Sequence, residues 1–265
     1  MIRLSGLHLY PMKSAKGVAV PRWRVDDFGL AGDRRFMLVD STGRFLTQRQ
    51  HPKMTHLRAT LTDAGLSLTA PGRGELAVER PSGAAAGEVQ IWGEQVLGHD
   101  VGEAAAEWLT AWLGEPCRLV FMADDTRRPV DPEYADETAR VSFADGFPFL
   151  LIGEASLAEL NTRLAKPMPM TRFRPNLVIT GAPAFAEDAW RRIRIDRITF
   201  DVVKPCGRCS ITTVDPDSGE VGKEPLRTLA TFRKVGREVM FGQNLLHQGT
   251  GTLTVGAEVE VLERT

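Results

Sequence analysis

Two of the three cysteines in this 265-residue chain, Cys206 and Cys209, lie three positions apart. They belong to the segment KPCGRCSITTVDPDSG at residues 204–219, in which Lys204 and Arg208 flank them. A nearby cation favours thiolate over thiol, and a thiolate is a nucleophile or a ligand for a soft metal. The segment could therefore hold a metal clip, a disulfide, a redox pair or a single reactive thiolate.

The surroundings of the pair weigh against two of these interpretations. A structural zinc site takes four ligands, and the five histidines offer no partner at matching spacing. A thioredoxin-like redox pair lies at a helix N-terminus, whereas the β-branched run SITTV at residues 210–214 predicts a strand. A reactive or metal-binding thiolate stays open, and so does a structural corner in which both cysteines are merely small residues.

The residues that follow the pair predict a hairpin turn. In VDPDSGEV, Asp215 stands at the turn entry, Pro216 comes next and Gly219 closes the turn. The full spacing of acidic ligands that a calcium loop requires is missing. We therefore expect the turn to position the cysteine strand and to contribute no chemistry.

Basic residues recur in three short segments, YPMKSAKG, GLAGDRRF and TRFRPN. Together these segments contain the hydroxyl of Ser14 and six cations: Lys13, Lys16, Arg34, Arg35, Arg172 and Arg174. Guanidinium, ammonium, hydroxyl and loop N–H groups are the donors that a phosphate-bearing ligand needs. Each segment alone is more often a solvated loop than a site, so the hypothesis depends on the fold bringing them together.

Composition places the chain among ordinary globular proteins, with 25% charged and 43% hydrophobic residues. A formal net charge of −1 gives no support for binding to nucleic acid or a membrane surface. No run approaches the roughly 18 apolar residues that span a bilayer, and the N-terminus lacks the features of a secretory signal. Three cysteines suit a reducing compartment. We predict a cytoplasmic protein.

The first hundred residues predict a β-rich domain, because short apolar runs are separated by turn residues. The predicted features are a strand over residues 2–12 with a slip near Gly6, a hairpin over 35–50 with its turn at residues 40–43, three strands over 57–79, a small-residue loop at 81–88 and a hairpin over 88–100 around Gly93. Strands at this spacing indicate a barrel or a sandwich.

Helical periodicity appears at residues 101–114, 153–165 and 224–233. Between the first two lies a polar, proline-containing segment, and we place a domain boundary there, near residue 125. The C-terminal half predicts strands at residues 176–180, 192–203, 209–214 and 252–263. This is not the regular alternation of a doubly wound sheet, and neither G-x-G-x-x-G nor a P-loop occurs.

Four segments in combination resemble MOSC-domain proteins: YPMKSAKG, FADGFPFLLIGEASLAELN, RFRPNLVITG and CGRCSITTVDPDSG with the later KEPLRTL. The resemblance runs from about Leu4 to Leu262. It is strongest to members with an added N-terminal β-barrel domain, such as the mitochondrial amidoxime-reducing component and its bacterial relatives. It implies a mixed α/β, β-rich fold, with an N-terminal β-barrel-like domain at 1–125 and a MOSC domain, a β-barrel with flanking helices, at 126–265.

The resemblance also implies a molybdenum cofactor, in which the dithiolene of a phosphate-bearing pterin holds the metal. The family's cysteine ligand to molybdenum corresponds to Cys209, while Cys206 has a supporting place. The implied pterin and phosphate contacts are Lys13, Ser14, Arg35, Ser142, Arg174 and Asn176. Arg34 stands where family members of the human type carry an acidic residue, so its role is not assigned.

The activity implied by the resemblance is molybdenum-dependent reduction of N-hydroxylated compounds such as amidoximes, hydroxylamines and N-hydroxylated nucleobases. Asp145 is the candidate proton donor. Electrons would come from a separate ferredoxin- or flavin-type protein, because three cysteines are too few for an iron–sulfur cluster. The alternatives are a cofactor carrier or sulfur-transfer protein, like the MOSC domain of cofactor sulfurases, and a cofactor-free β-barrel whose motifs serve folding alone.

Overall fold

The computed structural model describes residues 1–82 and 86–265, and most of its regular structure is β-strand. The strands are β1 (Arg3–Leu9), β2 (Val18–Ala19), β3 (Arg22–Asp26), β4 (Gly29–Leu30), β5 (Phe36–Val39), β6 (Arg58–Leu61), β7 (Gly65–Ala70), β8 (Arg73–Glu79), β9 (Ala86–Ile91), β10 (Glu94–Asp100), β11 (Arg118–Phe121), β12 (Phe149–Gly153), β13 (Leu177–Thr180), β14 (Trp190–Ile195), β15 (Ile198–Gly207), β16 (Lys234–Val235), β17 (Glu238–Gln248), β18 (Gly251–Thr254) and β19 (Val259–Arg264). The α-helices are α1 (Glu103–Leu113), α2 (Glu154–Thr162) and α3 (Leu226–Leu229), and 3-10 helices cover Pro52–His56, Met170–Phe173, Ala186–Ala189 and Ser210–Thr213. The predicted β-rich, mixed fold class is confirmed.

The largest sheet joins the two ends of the chain. Its strand order is β19-β14-β15-β17-β12-β13-β1-β2, with β16 added on β17. Neighbouring strands run antiparallel except β12 and β13, which run parallel. Strand β1 thus forms a ladder with β13, from the far side of the predicted boundary near residue 125. That boundary stays a prediction.

Three smaller sheets, β5-β11-β10-β9, β18-β3-β4 and β6-β7-β8, complete the described strands. The three strands expected over residues 57–79 are confirmed as β6, β7 and β8, and the hairpin around Gly93 as β9 and β10. The expected loop at 81–88 falls in part on residues 83–85, which lie outside the described residues, and β9 begins at Ala86.

Alternation of apolar residues correctly predicted the N-terminal strand. Leu4, Leu7 and Leu9 are buried in the core, and the register of β1 against β13 shifts between Leu4 and Gly6. This irregularity is the slip that the sequence placed near Gly6. The extra residue allows both halves of the strand to point their leucines into the same core.

The helices follow their predicted positions with different extents. Helix α1 ends at Gly114, whose φ of 87° suits a glycine after a helix. Its buried face is formed by Ala105, Ala106, Leu109 and Leu113. Trp108 and Trp112 of the same helix are only partly buried against the core. Helix α3 is a single turn of four residues, shorter than the expected segment.

The sequence analysis missed β17, the strand that lies beside β15 and β12 in the largest sheet. Its alternation is interrupted at Gly242, where φ is 84°. A Cβ atom at this position would lie 2.7 Å from Ile152 Cγ1, so only glycine fits between the strands. Because the alternation of apolar residues breaks at Gly242, the sequence pattern did not predict one long strand over Glu238–Gln248.

Candidate functional site

A cavity of about 250 Å³ lies where the cysteine segment meets the basic loops. Both Cys206 and Cys209 line it. The other polar lining residues come from segments far apart in the sequence: Lys13, Ser14, Arg34, Asp145, Arg174, Asn176, Lys204, Arg208, Glu238 and Asn244. The fold therefore assembles one site from motifs that the sequence could only name separately.

Cys209 stands at the junction between β15 and a 3-10 helix. Strand β15 ends at Gly207, and Cys209 is the N-cap residue of the helix at Ser210–Thr213. The hydroxyls of Thr212 and Thr213 each donate to the carbonyl oxygen three residues earlier, at 3.0 and 2.8 Å. The predicted strand at 210–214 was wrong, because these local hydrogen bonds favour a helical turn over a ladder. The turn leaves Cys209 half-buried in the cavity wall.

Arg208 contacts the first cysteine of the pair. Its Nη1 donates to Cys206 Sγ at 3.0 Å, and its Nη2 donates to the carbonyl oxygen of Phe173 at 2.6 Å. Cys206 also packs against an apolar cluster that includes Phe173. The cation that the sequence placed between the cysteines therefore contacts the sulfur of Cys206 and fixes the cysteine segment to Phe173.

Two residues of the basic loops hold the turn after the cysteines. The turn closes as predicted: the backbone N–H of Asp215 donates to the carbonyl oxygen of Glu220 at 2.8 Å, and that of Gly219 donates to the carbonyl oxygen of Asp215 at 2.9 Å. Lys16 Nζ donates to Asp217 Oδ1 at 2.9 Å, and Arg172 Nη2 donates to Asp215 Oδ2 at 2.6 Å. Lys16 and Arg172 do not line the cavity; they fix the cysteine segment to its neighbours.

Lys13 is buried in the cavity wall with 5% of its surface exposed. Its Nζ donates to the carbonyl oxygen of Phe143 at 2.8 Å and to Asp145 Oδ1 at 2.5 Å. Burial lowers the pKa of Lys13 to about 8, although the neighbouring carboxylate opposes this. Burial raises the pKa of Asp145, but the charge and hydrogen bond of Lys13 outweigh it and hold that pKa well below its usual range. At neutral pH the proton of this pair therefore resides on Lys13.

Two guanidinium groups stack on the ring of Tyr10. Arg34 Cζ lies 4.3 Å and Arg174 Cζ 4.4 Å from the ring centroid. Tyr10 is buried, and its hydroxyl donates to the carbonyl oxygen of Pro175 at 3.0 Å. Stacking on an aromatic ring fixes the plane of a guanidinium group while its N–H edge stays available. Tyr10 thus orients two cations along the cavity.

The two stacked arginines differ in how their charge is balanced. Arg34 donates to the buried carboxylate of Asp33 and, from Nη1, to Asn176 Oδ1 at 3.1 Å. Arg174 donates to the carbonyl oxygen of Ala15 at 2.8 Å and forms no ion pair within residues 1–82 and 86–265. Burial lowers the pKa of Arg174 to about 10. Five cations and two carboxylates line the cavity, so it favours an anion.

Arg35 faces away from this cavity. Its Nε donates to the carbonyl oxygen of Met122 at 3.0 Å, its Nη2 reaches Asp124 Oδ1 at 2.8 Å, and it lines a separate groove of about 1410 Å³. Its neighbour Arg34 lines the cavity instead, so the structure does not place Arg35 at the site where the sequence expected a cofactor contact. The reason is local: Arg34 takes a left-handed φ of 48° and Arg35 leads into β5, where adjacent side chains point to opposite sides.

The remaining predicted contacts lie in or directly behind the wall. Ser14 lines the cavity with a left-handed φ of 63°. Asn176 also lines it, and its Oδ1 accepts from the backbone N–H of Leu150 at 3.3 Å. Ser142 does not line the cavity; it is 1% exposed, and its hydroxyl has no hydrogen-bond partner within the part of the chain that the structure describes.

Tyr10 and Asp33 were not predicted as site residues, although both lie within the basic segments YPMKSAKG and GLAGDRRF. Tyr10 opens YPMKSAKG, and Asp33 directly precedes Arg34. The available signal was that an arginine inside a folded domain requires a partner, and the nearest carboxylate was its neighbour.

The donor set of the cavity suits a metal that brings its own ligands. Within residues 1–82 and 86–265, no three His, Cys, Asp or Glu side chains lie together as a metal site. The soft donors in the wall are Cys206 and Cys209. A metal bound here through one thiolate would take its other ligands from an organic carrier, whose anionic groups the neighbouring cations could hold.

Comparison with known protein families divides the chain into two matched parts. Residues 1–116 match the MOSC N-terminal beta barrel domain, and residues 138–260 match the MOSC domain. Together these matches cover most of the chain and agree with the order of domains expected from the sequence.

Curated relatives match across nearly the whole chain. Mitochondrial amidoxime-reducing component 1 from Homo sapiens is 36% identical over 97% of this chain and 82% of its own length. Mitochondrial amidoxime reducing component 2 from Rattus norvegicus is 35% identical over 97% of this chain and 82% of its own length. A solved structure, the YUAD protein from Bacillus subtilis, aligns with 98% of this chain and 95% of its own at a TM-score of 0.43 and 9% identity.

These relatives are named for mitochondria, so the expected cytoplasmic location stays a prediction. Within residues 1–82 and 86–265, no helix has both the length and the apolar character needed to cross a bilayer. The resemblance that the four sequence segments suggested is confirmed by the matches to both domains and to these relatives. The chain belongs to the family of MOSC-domain proteins that carry an N-terminal MOSC beta barrel domain.

Proposed function

We propose that this chain is a molybdenum-cofactor-dependent oxidoreductase that reduces N-hydroxylated compounds such as amidoximes and N-hydroxylated nucleobases. The observation that carries the proposal is the cavity in which Cys209 shares a wall with Lys13, Arg34 and Arg174. One soft ligand beside an excess of cations suits a metal held by an anionic organic carrier. The names of the relatives, amidoxime-reducing components, supply the reaction class.

The side chains of the cavity fit such a cofactor in their chemistry. Cys209 is half-buried with its sulfur in the wall, so it can serve as a thiolate ligand. Arg174 lines the cavity and offers N–H groups without a carboxylate partner among the described residues. A buried cation without a counter-ion costs free energy, which an anionic ligand that bonds to it would recover.

The cavity residues can then be assigned roles in binding the cofactor. When bound, the cofactor supplies the two-electron chemistry that removes the hydroxyl oxygen of the substrate. Arg34 and Arg174, whose planes are fixed by stacking on Tyr10, would hold the anionic end of the cofactor, and Asn176 keeps Arg34 in place. Cys209 would be the ligand to the metal.

The ion pair of Lys13 and Asp145 decides which group can deliver a proton. Asp145 is ionised at neutral pH because Lys13 holds its pKa low, so it has no proton to give. Lys13 carries a proton and has a pKa near 8, close to working pH, as a general acid requires. The proposed donor is therefore Lys13 Nζ, with Asp145 as the group that keeps it protonated. This proposal differs from the sequence-based expectation that Asp145 itself donates the proton.

Electrons are proposed to come from a separate ferredoxin- or flavin-type protein. The chain has three cysteines, and Cys117 is buried away from the cavity against α1. An iron–sulfur cluster generally needs four cysteine ligands.

The test is reduction of benzamidoxime by the purified, molybdenum-loaded protein with a reduced viologen dye as electron donor. We expect turnover in the wild type and in Cys206→Ala, and none in Cys209→Ala. Molybdenum and pterin content should fall in Cys209→Ala, while the thermal midpoint of unfolding stays unchanged because Cys209 is half-buried at a turn. Turnover retained in Cys209→Ala would refute the assignment.

A second function, cofactor carriage or sulfur transfer, has one observation in its favour. Cys206 lines the same cavity, and its sulfur accepts a hydrogen bond from Arg208 at 3.0 Å. If the protein transfers sulfur, mass spectrometry after incubation with a persulfide donor should find the added sulfur on Cys206, and benzamidoxime should not be reduced.

A further inference from the structure

Trp92 occupies a turn position that its side chain does not favour. It is the first of two residues between β9 and β10, where Ile91 pairs with Glu94. Its φ is 55°, a left-handed conformation that glycine and asparagine adopt readily and bulky residues do not. The indole is 41% exposed and packs on one side against the buried ring of Phe45, at a centroid distance of 5.2 Å. A strained backbone at a partly exposed aromatic residue points to a role for the exposed part of the ring.

The indole carries the guanidinium group of Arg49. Arg49 Cζ lies 4.3 Å from the Trp92 ring and 5.8 Å from the ring of Phe45. Among residues 1–82 and 86–265, this guanidinium has neither an ion pair nor a side-chain hydrogen bond. Its plane is fixed by stacking, and its N–H edge is left for a ligand.

Arg49 stands beside the cavity on the side of Asp145. The ring of Phe45, which Arg49 contacts, also lies 5.5 Å from Lys13 Nζ. Asp145, the ion-pair partner of Lys13, has 58% of its side chain exposed, and the charge of Arg49 contributes to its low pKa. Arg49 itself is absent from the cavity wall. The cation is therefore at the rim, outside the group of residues that surrounds Cys209.

We propose that Arg49, held flat by Trp92, binds an oxyanionic group of the substrate and makes the enzyme prefer N-hydroxylated compounds that carry a carboxylate or a phosphate. This inference rests on the proposed function, since it assigns specificity to the same site. A guanidinium fork matches the two oxygens of either anion. Its place at the rim lets the anionic end bind there while the N–O group enters towards Cys209.

The experiment compares matched substrates in the molybdenum-loaded protein. The carboxylate arm uses 4-carboxybenzamidoxime against benzamidoxime, and the phosphate arm uses N4-hydroxycytidine monophosphate against N4-hydroxycytidine. The quantity measured is the ratio of kcat/KM for the anionic and the neutral member of each pair. We expect Arg49→Ala to lower this ratio about tenfold or more in at least one arm, from the loss of a charge-assisted hydrogen bond. The change should appear in KM, and the neutral substrates should be unaffected.

Variants of the stack separate recognition from bracing of the hairpin. Trp92→Phe keeps an aromatic ring and should keep the preference. Trp92→Gly relieves the backbone but removes the ring on which Arg49 stacks, so it should lose the preference. Arg163→Ala is the matched control, because Arg163 also stacks on an aromatic ring, Phe232 at 4.0 Å, but does not line the cavity. It should change no ratio.

A measurement without turnover completes the test. Calorimetric binding of 4-carboxybenzamidine and benzamidine to the loaded protein should show an anion preference that Arg49→Ala removes. Unchanged ratios and unchanged binding in Arg49→Ala would overturn the inference, and so would a loss of molybdenum content in that variant, which would assign Arg49 to the cofactor. If no variant and no wild type reduces any of the four substrates, the proposed function fails instead.

Discussion

The two sides of the cavity are built in opposite ways. The arginine side consists of Tyr10, Asp33, Arg34, Arg174 and Asn176, and its polar groups are mostly bonded to one another inside the protein. The cysteine side, residues 206–209, lies half-exposed at the end of a strand and is held mainly through backbone contacts.

This difference predicts that one side of the cavity contributes to the stability of the fold and the other to ligand binding. Changes on the arginine side should destabilise the fold, because they leave buried charges without partners. Changes on the cysteine side should remove a ligand while the fold persists. The following variants test that separation.

The largest effect is expected for Arg34→Met. It leaves the carboxylate of Asp33, 1% exposed, without its cationic partner. Loss of one member of a buried pair costs about 3–5 kcal/mol, so the urea midpoint should fall strongly. Arg163→Met is the control, since its pair with Glu159 is exposed and should cost less than about 1 kcal/mol. Equal costs in the two variants would contradict the comparison.

Gly17→Ala should act on the same side through Tyr10. A Cβ atom at Gly17 would lie 2.3 Å from Tyr10 Cε1, so the ring must move. Overpacking of this kind costs about 1–3 kcal/mol, and a displaced ring should also weaken sulfate binding by the cofactor-free protein. In the control Gly74→Ala, the added Cβ meets no atom within 4 Å. Unfolding and sulfate titrations of both variants test this: Gly17→Ala should be less stable and bind sulfate more weakly than Gly74→Ala.

Asp215→Asn should loosen the cysteine side with a moderate cost. Asp215 accepts from Arg172, which is 8% exposed, so its loss weakens a partly buried ion pair by about 1–2 kcal/mol. Asp217→Asn removes the exposed partner of Lys16 and should cost less than about 1 kcal/mol. Denaturation measures both. A larger effect in Asp217→Asn would show that the exposed contact holds the turn.

A further prediction concerns pH. The folded-state pKa of Lys13, about 8, is below its usual value, so the unfolded chain binds more protons between about pH 8 and 10.5. The contribution of Lys13 to stability therefore rises with pH across that window. In the folded protein Lys13 loses its charge around pH 8, and sulfate binding to the cofactor-free protein should weaken there.

Asp145→Asn sharpens the pH test. Without the carboxylate, burial and the charges of Arg128 and Arg34 all lower the pKa of Lys13 unopposed, so this pKa should fall further and the loss of sulfate affinity should begin at lower pH. Calorimetric titrations between pH 6.5 and 9.5 would follow this shift. A pH profile that is identical in the variant would show that Lys13 does not contact the anion.

Local sequence patterns predicted much of the fold for physical reasons. Strand β1, its slip at Gly6 and the turns after Val39 and Val214 follow from alternation and turn chemistry among neighbouring residues. The cysteine turn shows the limit. The β-branched run after Cys209 favours a strand, but the threonine hydroxyls bond backwards and produce a 3-10 helix.

The sequence by itself determined the residue types of the site, its family and most of its strands, because these depend on motifs and spacing within short segments. Only the tertiary structure decided that Arg34 and not Arg35 faces the cavity, that Arg208 contacts Cys206, and that Arg49 lies on Trp92. The physical reason is that the side to which a side chain points, and the partner that it meets, depend on strands and loops far away along the chain.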